Sequence, residues 1–317
     1  MGFDASIALM MIPKTRRELI PMLEAAGIKP HKKWGQSLLL DGNMLEAIAR
    51  DADIGSDDLV LEIGPGPATL TEYLMERAGF VVAAEIDRGM VAFVAEALSG
   101  SEKLVLLNED ILEEKNTLNA RVVEAVSSLL AGNECNAENA ALIAPNAPKT
   151  FSALKVVANL PYSIASPTLI AILESPLSAT SMTLLLQKEV ADKLMAPSGG
   201  KDYGLLTLLC ALSAEVEHLR DVPATCFWPR PKVVSSLIRV TPYASRLDEE
   251  EYDKTKRVIS GLMGYRRKNL TNAAQHGLGM ERDDASAWFE RAGIDAKLHA
   301  SQLTLDQFKA LAASSLA

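Results

Sequence analysis

The sequence has few cysteines and no long apolar run. Its 317 residues include only Cys135, Cys210 and Cys226, an odd number without C-x-x-C spacing. This argues against a disulfide framework or a cysteine metal site, so we expect reduced thiols and no bound metal. No stretch reaches the ~18 apolar residues of a membrane span, and apolar residues 7–12 lack the flanking features of a secretory signal. We therefore expect a cytoplasmic protein without membrane contact, with one large and one small domain.

The sequence also lacks net positive charge, since its formal net charge is −9 at pH 7. A phosphate-rich partner requires local rather than global positive charge, and two clusters provide it. The cluster at 14–33 contains Lys14, Arg16, Arg17, Lys29, Lys32 and Lys33 beside Glu18 and Glu24. The cluster at 254–268 contains no acid and consists of Lys254, Lys256, Arg257, Arg266, Arg267 and Lys268. Charge clusters are usually solvated faces, which is an adequate interpretation of residues 254–257.

The segment Asn159-Leu160-Pro161-Tyr162 follows a strand-like run at 155–158. The Asn159 side-chain oxygen and the Leu160 carbonyl can accept the two hydrogens of a planar exocyclic amine. Pro161 restricts Leu160 to extended conformations, and Tyr162 can stack on a flipped base. Taken alone, the pattern is more typical of a strand end with a proline turn and a half-buried tyrosine. The motifs upstream favour the amine-binding interpretation.

A glycine-rich motif at residues 59–70 predicts a buried strand, a turn and a helix. Gly64 and Gly66 allow the backbone to approach a ligand closely. A dinucleotide-binding turn would have a third glycine where Thr69 stands. The negative charge of Glu62 would repel a pyrophosphate, whereas it suits the ammonium or sulfonium group of S-adenosylmethionine. The motif therefore disfavours a nicotinamide oxidoreductase.

Acidic residues follow the next two predicted strands, at 80–84 and 104–107. Glu85 is placed to hold ribose hydroxyls, and Asp110 could accept from the adenine amine of a cofactor. Each acid alone is more typical of a solvated loop charge. In this order, however, all the segments lie at the carboxyl ends of parallel strands, where open α/β sheets bind ligands. The pattern predicts an α/β fold.

These motifs resemble those of the ribosomal RNA adenine dimethyltransferase family, most closely its bacterial small-subunit branch. Further family-like blocks lie in order at 33–41 (KWGQSLLLD), 186–191 (LQKEVA), 203–204 (YG), 227–235 (FWPRPKVVS), 266–268 (RRK) and 303–308 (LTLDQF). The resemblance covers nearly the whole chain. It implies a Rossmann-like methyltransferase domain at 1–242, dependent on S-adenosylmethionine, and a small all-helical RNA-binding domain at 243–317.

Helical patterns support the second domain. They are expected at 249–263, 267–276, 283–291 and 303–311, with Gly277, Gly279 and Gly293 as helix stops.

The resemblance also implies roles for individual residues. Cofactor-binding residues would be Ser37, Leu39, Gly64, Gly66, Glu85, Asp110 and Asn159. Asn159 and Leu160 would hold the target amine, while Tyr162 would stack on the adenine. Phe227 would provide either a second stacking face or a structural contact. RNA-binding residues would be Arg230, Lys232, Arg266, Arg267 and Lys268.

The implied substrate is a pair of adjacent adenosines in the 3′-terminal hairpin of 16S rRNA, dimethylated on an assembling small ribosomal subunit by a monomeric enzyme. Two alternatives remain open. A related class dimethylates one adenosine of 23S rRNA and typically has Ile where this chain has Leu160. The protein could instead be a ribosome assembly factor whose binding matters more than its chemistry.

The chain departs from the family pattern at three places. Ser37 stands where the family usually has Asn, and Leu38 where it usually has Phe. An Asn- and Ala-rich insertion occupies roughly 116–150. We expect it to form a short helix at 117–130 followed by a mobile loop, a tolerated surface decoration.

Overall fold

A computed structural model describes residues 12–30, 36–135, 140–144, 147–148, 150–245 and 247–314. The described residues pack as two compact units. The first comprises those of Met1–Lys188 and His218–Thr241, and the second comprises those of Glu189–Glu217 and Pro242–Ala317. In the described ranges, no helix is both long and apolar enough to cross a membrane.

The secondary-structure elements follow in chain order. The first fifteen are α1 Arg16–Ala25, β1 Leu38–Leu39, α2 Gly42–Asp51, β2 Asp58–Ile63, α3 Thr69–Arg77, β3 Phe80–Ala84, α4 Arg88–Ala97, β4 Leu104–Leu107, β5 Leu112–Glu114, β6 Thr117–Leu118, α5 Ala120–Leu130, β7 Ala140–Ile143, β8 Ala153–Asn159, α6 Ala165–Glu174 and β9 Ala179–Gln187. The remainder are α7 Lys188–Leu194, α8 Leu205–Ala211, β10 Ala214–Val222, β11 Phe227–Trp228, β12 Ser235–Pro242, α9 Glu249–Gly264, α10 Leu270–Leu278, α11 Arg282–Arg291 and α12 Leu305–Ala313.

The main sheet has eight strands in the order β10-β12-β9-β8-β2-β3-β4-β7. Strands β9, β8, β2, β3 and β4 run parallel, and Leu61 of β2 lies between Val82 of β3 and Val156 of β8. Strands β12 and β7 are antiparallel to their neighbours β9 and β4. Strand β2 is buried throughout, as expected for a parallel strand covered on both faces. The predicted α/β, Rossmann-like fold is confirmed.

Side-chain caps fix where two helices of this unit begin. The Asp41 carboxylate accepts a hydrogen bond from the Met44 N–H, 3.0 Å away, at the start of α2. Asp87 accepts from the Gly89 N–H, 2.9 Å away, at the start of α4. Such caps satisfy backbone N–H groups that have no partner within the helix. The Asp87 cap therefore starts α4 shortly after β3 ends, and Glu85 lies between them at the carboxyl end of the sheet.

The insertion contributes to the sheet. Helix α5 buries its apolar face, which consists of Val122, Ala125, Val126 and Leu129. Strand β7 then pairs with β4 and forms the edge of the sheet, with Leu142 opposite Leu106. The expectation of a mobile loop after the helix is therefore wrong for 140–143, because backbone hydrogen bonding to β4 orders them. Asn136, Asn139, Pro145 and Asn146 lie outside the described residues.

The second unit is helical. Its core contains the fully buried side chains of Trp288, Phe289 and Phe308. Helices α9 to α12 confirm the four predicted helices, with boundaries shifted by a few residues. Residues 189–217 also belong here, whereas the boundary predicted at 242 left them in the first domain. The reason is a set of contacts distant in sequence: Leu208 and Leu212 join this core, and the Tyr203 hydroxyl donates to the Leu303 carbonyl at 2.9 Å.

Two glycines allow α9 and α10 to approach closely. Gly277 lies inside α10 and does not end it, contrary to the sequence prediction, and Gly279 caps the helix with φ +70°. A Cβ atom on Gly261 of α9 would lie 2.9 Å from the Gly277 carbonyl oxygen and 2.8 Å from Cγ of Leu278. Glycine at both positions therefore permits direct backbone contact between the helices.

We predict that Gly261→Ala lowers the free energy of unfolding by about 1–3 kcal/mol, because the added methyl group overpacks this contact. Gly264→Ala in the same helix is the matched control, since its Cβ would meet nothing within 4 Å. That variant should be neutral or up to about 1 kcal/mol more stable. Thermal and urea unfolding of the full chain would test this, and equal effects of the two substitutions would contradict it.

Candidate active site

The predicted cofactor-binding and target-binding residues line a cleft at the carboxyl ends of the parallel strands. It encloses about 920 Å³ of space, a figure that includes open solvent. Its lining includes every residue predicted for these two roles: Ser37, Leu39, Gly64, Gly66, Glu85, Asp110, Asn159, Leu160 and Tyr162. These residues lie together because the loops that follow parallel strands meet at the same edge of the sheet, even when they are distant in sequence.

The glycine-rich turn after β2 follows a left-handed path. Gly64, Gly66 and Ala68 have φ values of +65°, +56° and +62°. Such values suit glycine and cost an alanine some strain. A Cβ on Gly66 would lie 3.2 Å from Cδ2 of Leu38. The short strand β1 therefore covers the turn, and only glycine fits beneath it without displacement.

Two buried carboxyl groups lie beside this turn. Glu85 Oε2 accepts from the Gly66 N–H at 3.0 Å, and Oε1 accepts from the Asp87 N–H at 2.9 Å. Burial raises the pKa of Glu85 although these hydrogen bonds oppose the rise. Burial also raises the pKa of Glu62 to about 8, and the negative charge of Glu85 adds to the effect. Glu62 Oε2 has no hydrogen-bond partner among the described residues, and a cationic group bound beside it would favour the ionised carboxylate.

The inserted helix holds the loop that carries Asp110. The Asn119 side chain, which caps α5, donates to Glu109 Oε2 at 3.1 Å, and Arg121 Nη1 lies 2.9 Å from Glu109 Oε1. Asp110 is exposed, and its carboxylate accepts from the Leu112 N–H at 3.0 Å. The first part of the insertion therefore supports the cleft, an effect that local sequence patterns did not indicate.

A hydrogen bond sets the orientation of the Asn159 amide. Its Nδ2 donates to the Ser37 carbonyl at 3.0 Å, and the Ser37 hydroxyl donates to the Pro229 carbonyl at 2.7 Å. A carbonyl only accepts hydrogen bonds, so the amide nitrogen must face Ser37. Asn159 Oδ1 is therefore directed away from Ser37. Ser37 lines the cleft, and its side chain contacts the segment that follows β11.

Tyr162 is half-buried beside the same cleft. Its hydroxyl is 3.1 Å from the Ser235 hydroxyl, and burial raises the Tyr162 pKa, so the phenol remains protonated. Leu160 is 1% exposed, which anchors the backbone between the two polar side chains. Sequence reasoning included Ser235 in a family-like block and gave it no role.

Phe227 has a structural role. It is fully buried in the core of the first unit and pairs with Leu39 where β11 meets β1. The alternative expectation, a second stacking face for the target base, is wrong because the ring is not accessible.

The predicted RNA-binding residues lie at exposed positions in both units. In the first unit, Arg230 and Lys232 are exposed. In the second, Arg266, Arg267 and Lys268 are exposed, and Arg266 Nη1 also donates to the Tyr203 carbonyl at 3.0 Å. Arg266 therefore has a structural contact in addition to any contact with RNA.

The N-terminal basic cluster is partly engaged in structural contacts. Lys14 pairs with Glu72, and Arg16 donates to the Thr225 and Phe227 carbonyls. Lys32 and Lys33 lie outside the described residues. Within the described ranges, all three cysteines are free, and His, Cys, Asp and Glu side chains form no cluster of three or more that could hold a metal ion.

We predict that Glu62→Gln changes the pH dependence of stability in the absence of ligand. The folded-state pKa of Glu62, about 8, exceeds the ordinary value of 4.5. Between these values the carboxyl ionises in the unfolded state and stays protonated in the folded state, so the wild-type protein loses stability as pH rises. Relative to the wild-type protein, the variant should gain free energy of unfolding as pH rises from 5 towards 8. Urea titrations at several pH values would show this difference, and parallel pH profiles would contradict it.

Sequence comparisons identify relatives along most of the chain. A family model described as ribosomal RNA adenine dimethylase matches residues 27–314. A protein named ribosomal RNA small subunit methyltransferase A from Magnetococcus marinus is 37% identical over 92% of this chain and 94% of its own length. A protein of the same name from Lachnoclostridium phytofermentans is 36% identical over 89% of this chain and 90% of its own length.

Solved structures share the fold. A dimethyladenosine transferase from Plasmodium falciparum gives a TM-score of 0.63 at 23% identity, covering 86% of this chain and 95% of that protein. The 23S rRNA methyltransferase ErmE gives a TM-score of 0.60 at 24% identity, covering 87% of this chain and 98% of that protein. The family model matches well over half of the chain, and the curated relatives exceed 30% identity across about nine-tenths of it. The chain therefore belongs to the ribosomal RNA adenine dimethylase family.

Proposed function

We propose that this protein dimethylates the N6 amines of two adjacent adenosines in the 3′-terminal hairpin of 16S rRNA, with S-adenosylmethionine as methyl donor. The observation that carries the proposal is the Asn159 amide, held by Ser37 in the same cleft as Glu62 and Glu85. Family membership and the names of the relatives support the reaction and the small-subunit substrate.

The residues of the cleft fit the proposed cofactor. The unpartnered Glu62 oxygen suits a cationic methionine group, and binding of a cation there would favour the ionised carboxylate. Gly64 and Gly66 let the backbone approach the cofactor closely. Glu85 is placed at the end of β3 for ribose hydroxyls, and Asp110 for the adenine amine. The cofactor supplies an electrophilic methyl group, and the chain positions both partners.

The target amine requires activation because its lone pair is delocalised into the adenine ring. Asn159 Oδ1 and the Leu160 carbonyl would accept its two hydrogens, which favours a pyramidal nitrogen with an available lone pair. Tyr162 would stack on the flipped base and hold the nitrogen in line with the methyl group. Catalysis is then positioning and electrostatics, and needs no strong general base or covalent nucleophile.

RNA binding would depend on local positive charge in an otherwise acidic protein. Arg230 and Lys232 would contact phosphates from the first unit, and Arg267 and Lys268 from the second. The net charge of −9 would discourage non-specific association with RNA. We propose that the protein acts as a cytoplasmic monomer on an assembling subunit.

We predict that Asn159→Ala abolishes methylation of small subunits and retains subunit binding, since Asn159 lines the cleft and is an uncharged residue that provides no phosphate contact. The loss should be at least about a hundredfold, typical of removing a group that stabilises a transition state. Methyl incorporation and subunit co-sedimentation would be measured on the same samples. Loss of binding would assign Asn159 a structural role, and unchanged turnover would refute the amine-binding role.

We predict that Arg267→Glu weakens subunit binding and reduces its salt dependence, because a phosphate contact is lost. Arg257→Glu is the control: it is also exposed in the second unit, and a solvated face is an adequate interpretation of its segment. Binding curves at several salt concentrations would separate the two. Equal binding by both variants would rule out the proposed role of Arg267.

A further inference from the structure

Hydrogen bonds connect the segment Pro229–Ser235 to both polar side chains of the proposed target site, to Asn159 through Ser37 and to Tyr162 directly. At one end, the Pro229 carbonyl accepts from the Ser37 hydroxyl, and the Ser37 carbonyl in turn accepts from Asn159. At the other end, the Ser235 hydroxyl lies 3.1 Å from the Tyr162 hydroxyl. One segment thereby supports Asn159 indirectly and Tyr162 directly.

Ser235 is well placed to hold an aromatic ring in one orientation. It is 1% exposed and begins β12, where it lies opposite Gln187 of the neighbouring strand β9. Strand pairing therefore fixes its backbone. Tyr162, in contrast, is half-buried in a loop, where its ring has fewer constraints. A hydrogen bond from a rigid strand to the tip of this ring restricts rotation of the whole side chain.

We propose that Ser235 is a positioning residue for the target adenine, which acts by fixing the Tyr162 ring for stacking. This inference rests on the proposed function, because it concerns the same target site. Ser235 is not among the residues that line the cleft, and its effect passes through Tyr162. The segment before it carries the exposed Arg230 and Lys232, so RNA contacts and ring orientation depend on one short stretch of chain.

The neighbouring serine provides a matched control. Ser236 is also fully buried, and its hydroxyl donates to Asp221 Oδ1 at 2.6 Å. Successive strand residues point to opposite faces of the sheet, so Ser236 is directed away from Tyr162. Ser236→Ala removes a partly buried hydrogen bond from the same strand and leaves the contact between Ser235 and Tyr162 in place.

The test is a double-mutant cycle on Ser235→Ala and Tyr162→Phe, with Ser236→Ala as control. Methylation of small subunits gives kcat and KM, and calorimetry gives the affinity for S-adenosylmethionine. Each single substitution should lower kcat by about two- to tenfold, the usual effect of one hydrogen bond. The double variant should be no slower than the slower single variant. Cofactor affinity should be unchanged, and Ser236→Ala should retain wild-type kcat.

Three results would overturn the inference. These are an unchanged kcat in Ser235→Ala, a double variant whose loss is the product of the single losses, and an equal loss of kcat in Ser236→Ala. If Ser235→Ala does not fold, Tyr162→Phe removes the same contact from the other side, and its kcat decides alone. A wild-type protein without methylation activity would overturn the proposed function together with the role of Ser235.

Discussion

The common direction of β2, β3, β4 and β8 is the constraint on which the rest of this structure depends. Because these strands are parallel and adjacent, the loops after them meet at one edge of the sheet. Glu62, Glu85, Asp110 and Asn159 are thereby brought to one cleft from positions nearly 100 residues apart in sequence. Strand β1 covers the turn after β2, and residues of the insertion hold the loop that carries Asp110.

Burial makes the cleft electrostatically selective. Two carboxyl groups with raised pKa values lie beside a turn whose backbone N–H already serves Glu85. A cation beside Glu62 would favour its ionised form and satisfy the unpartnered oxygen.

Local sequence patterns were sufficient for the fold class and the four helices after residue 248, and the family resemblance was sufficient for the nine predicted site residues that line the cleft. They could not predict interactions between segments distant in sequence. Strand β7 is short and ordered by pairing with β4, and residues 189–217 join the second unit through contacts of Tyr203 and Leu208. The contacts of Ser37 with Pro229 and of Ser235 with Tyr162 also join distant loops. Phe227 is inaccessible for the same reason, because it is buried in β11, which pairs with the distant strand β1.

The most direct test of the account is to incubate the wild-type protein with S-adenosylmethionine and small ribosomal subunits that lack the modification. Digestion of the rRNA and mass spectrometry would then locate dimethyladenosine. The account predicts two adjacent dimethyladenosines near the 3′ end of 16S rRNA. Product only on large-subunit rRNA would contradict the proposed substrate. No product on either RNA would contradict the proposed activity and favour an assembly factor that acts by binding.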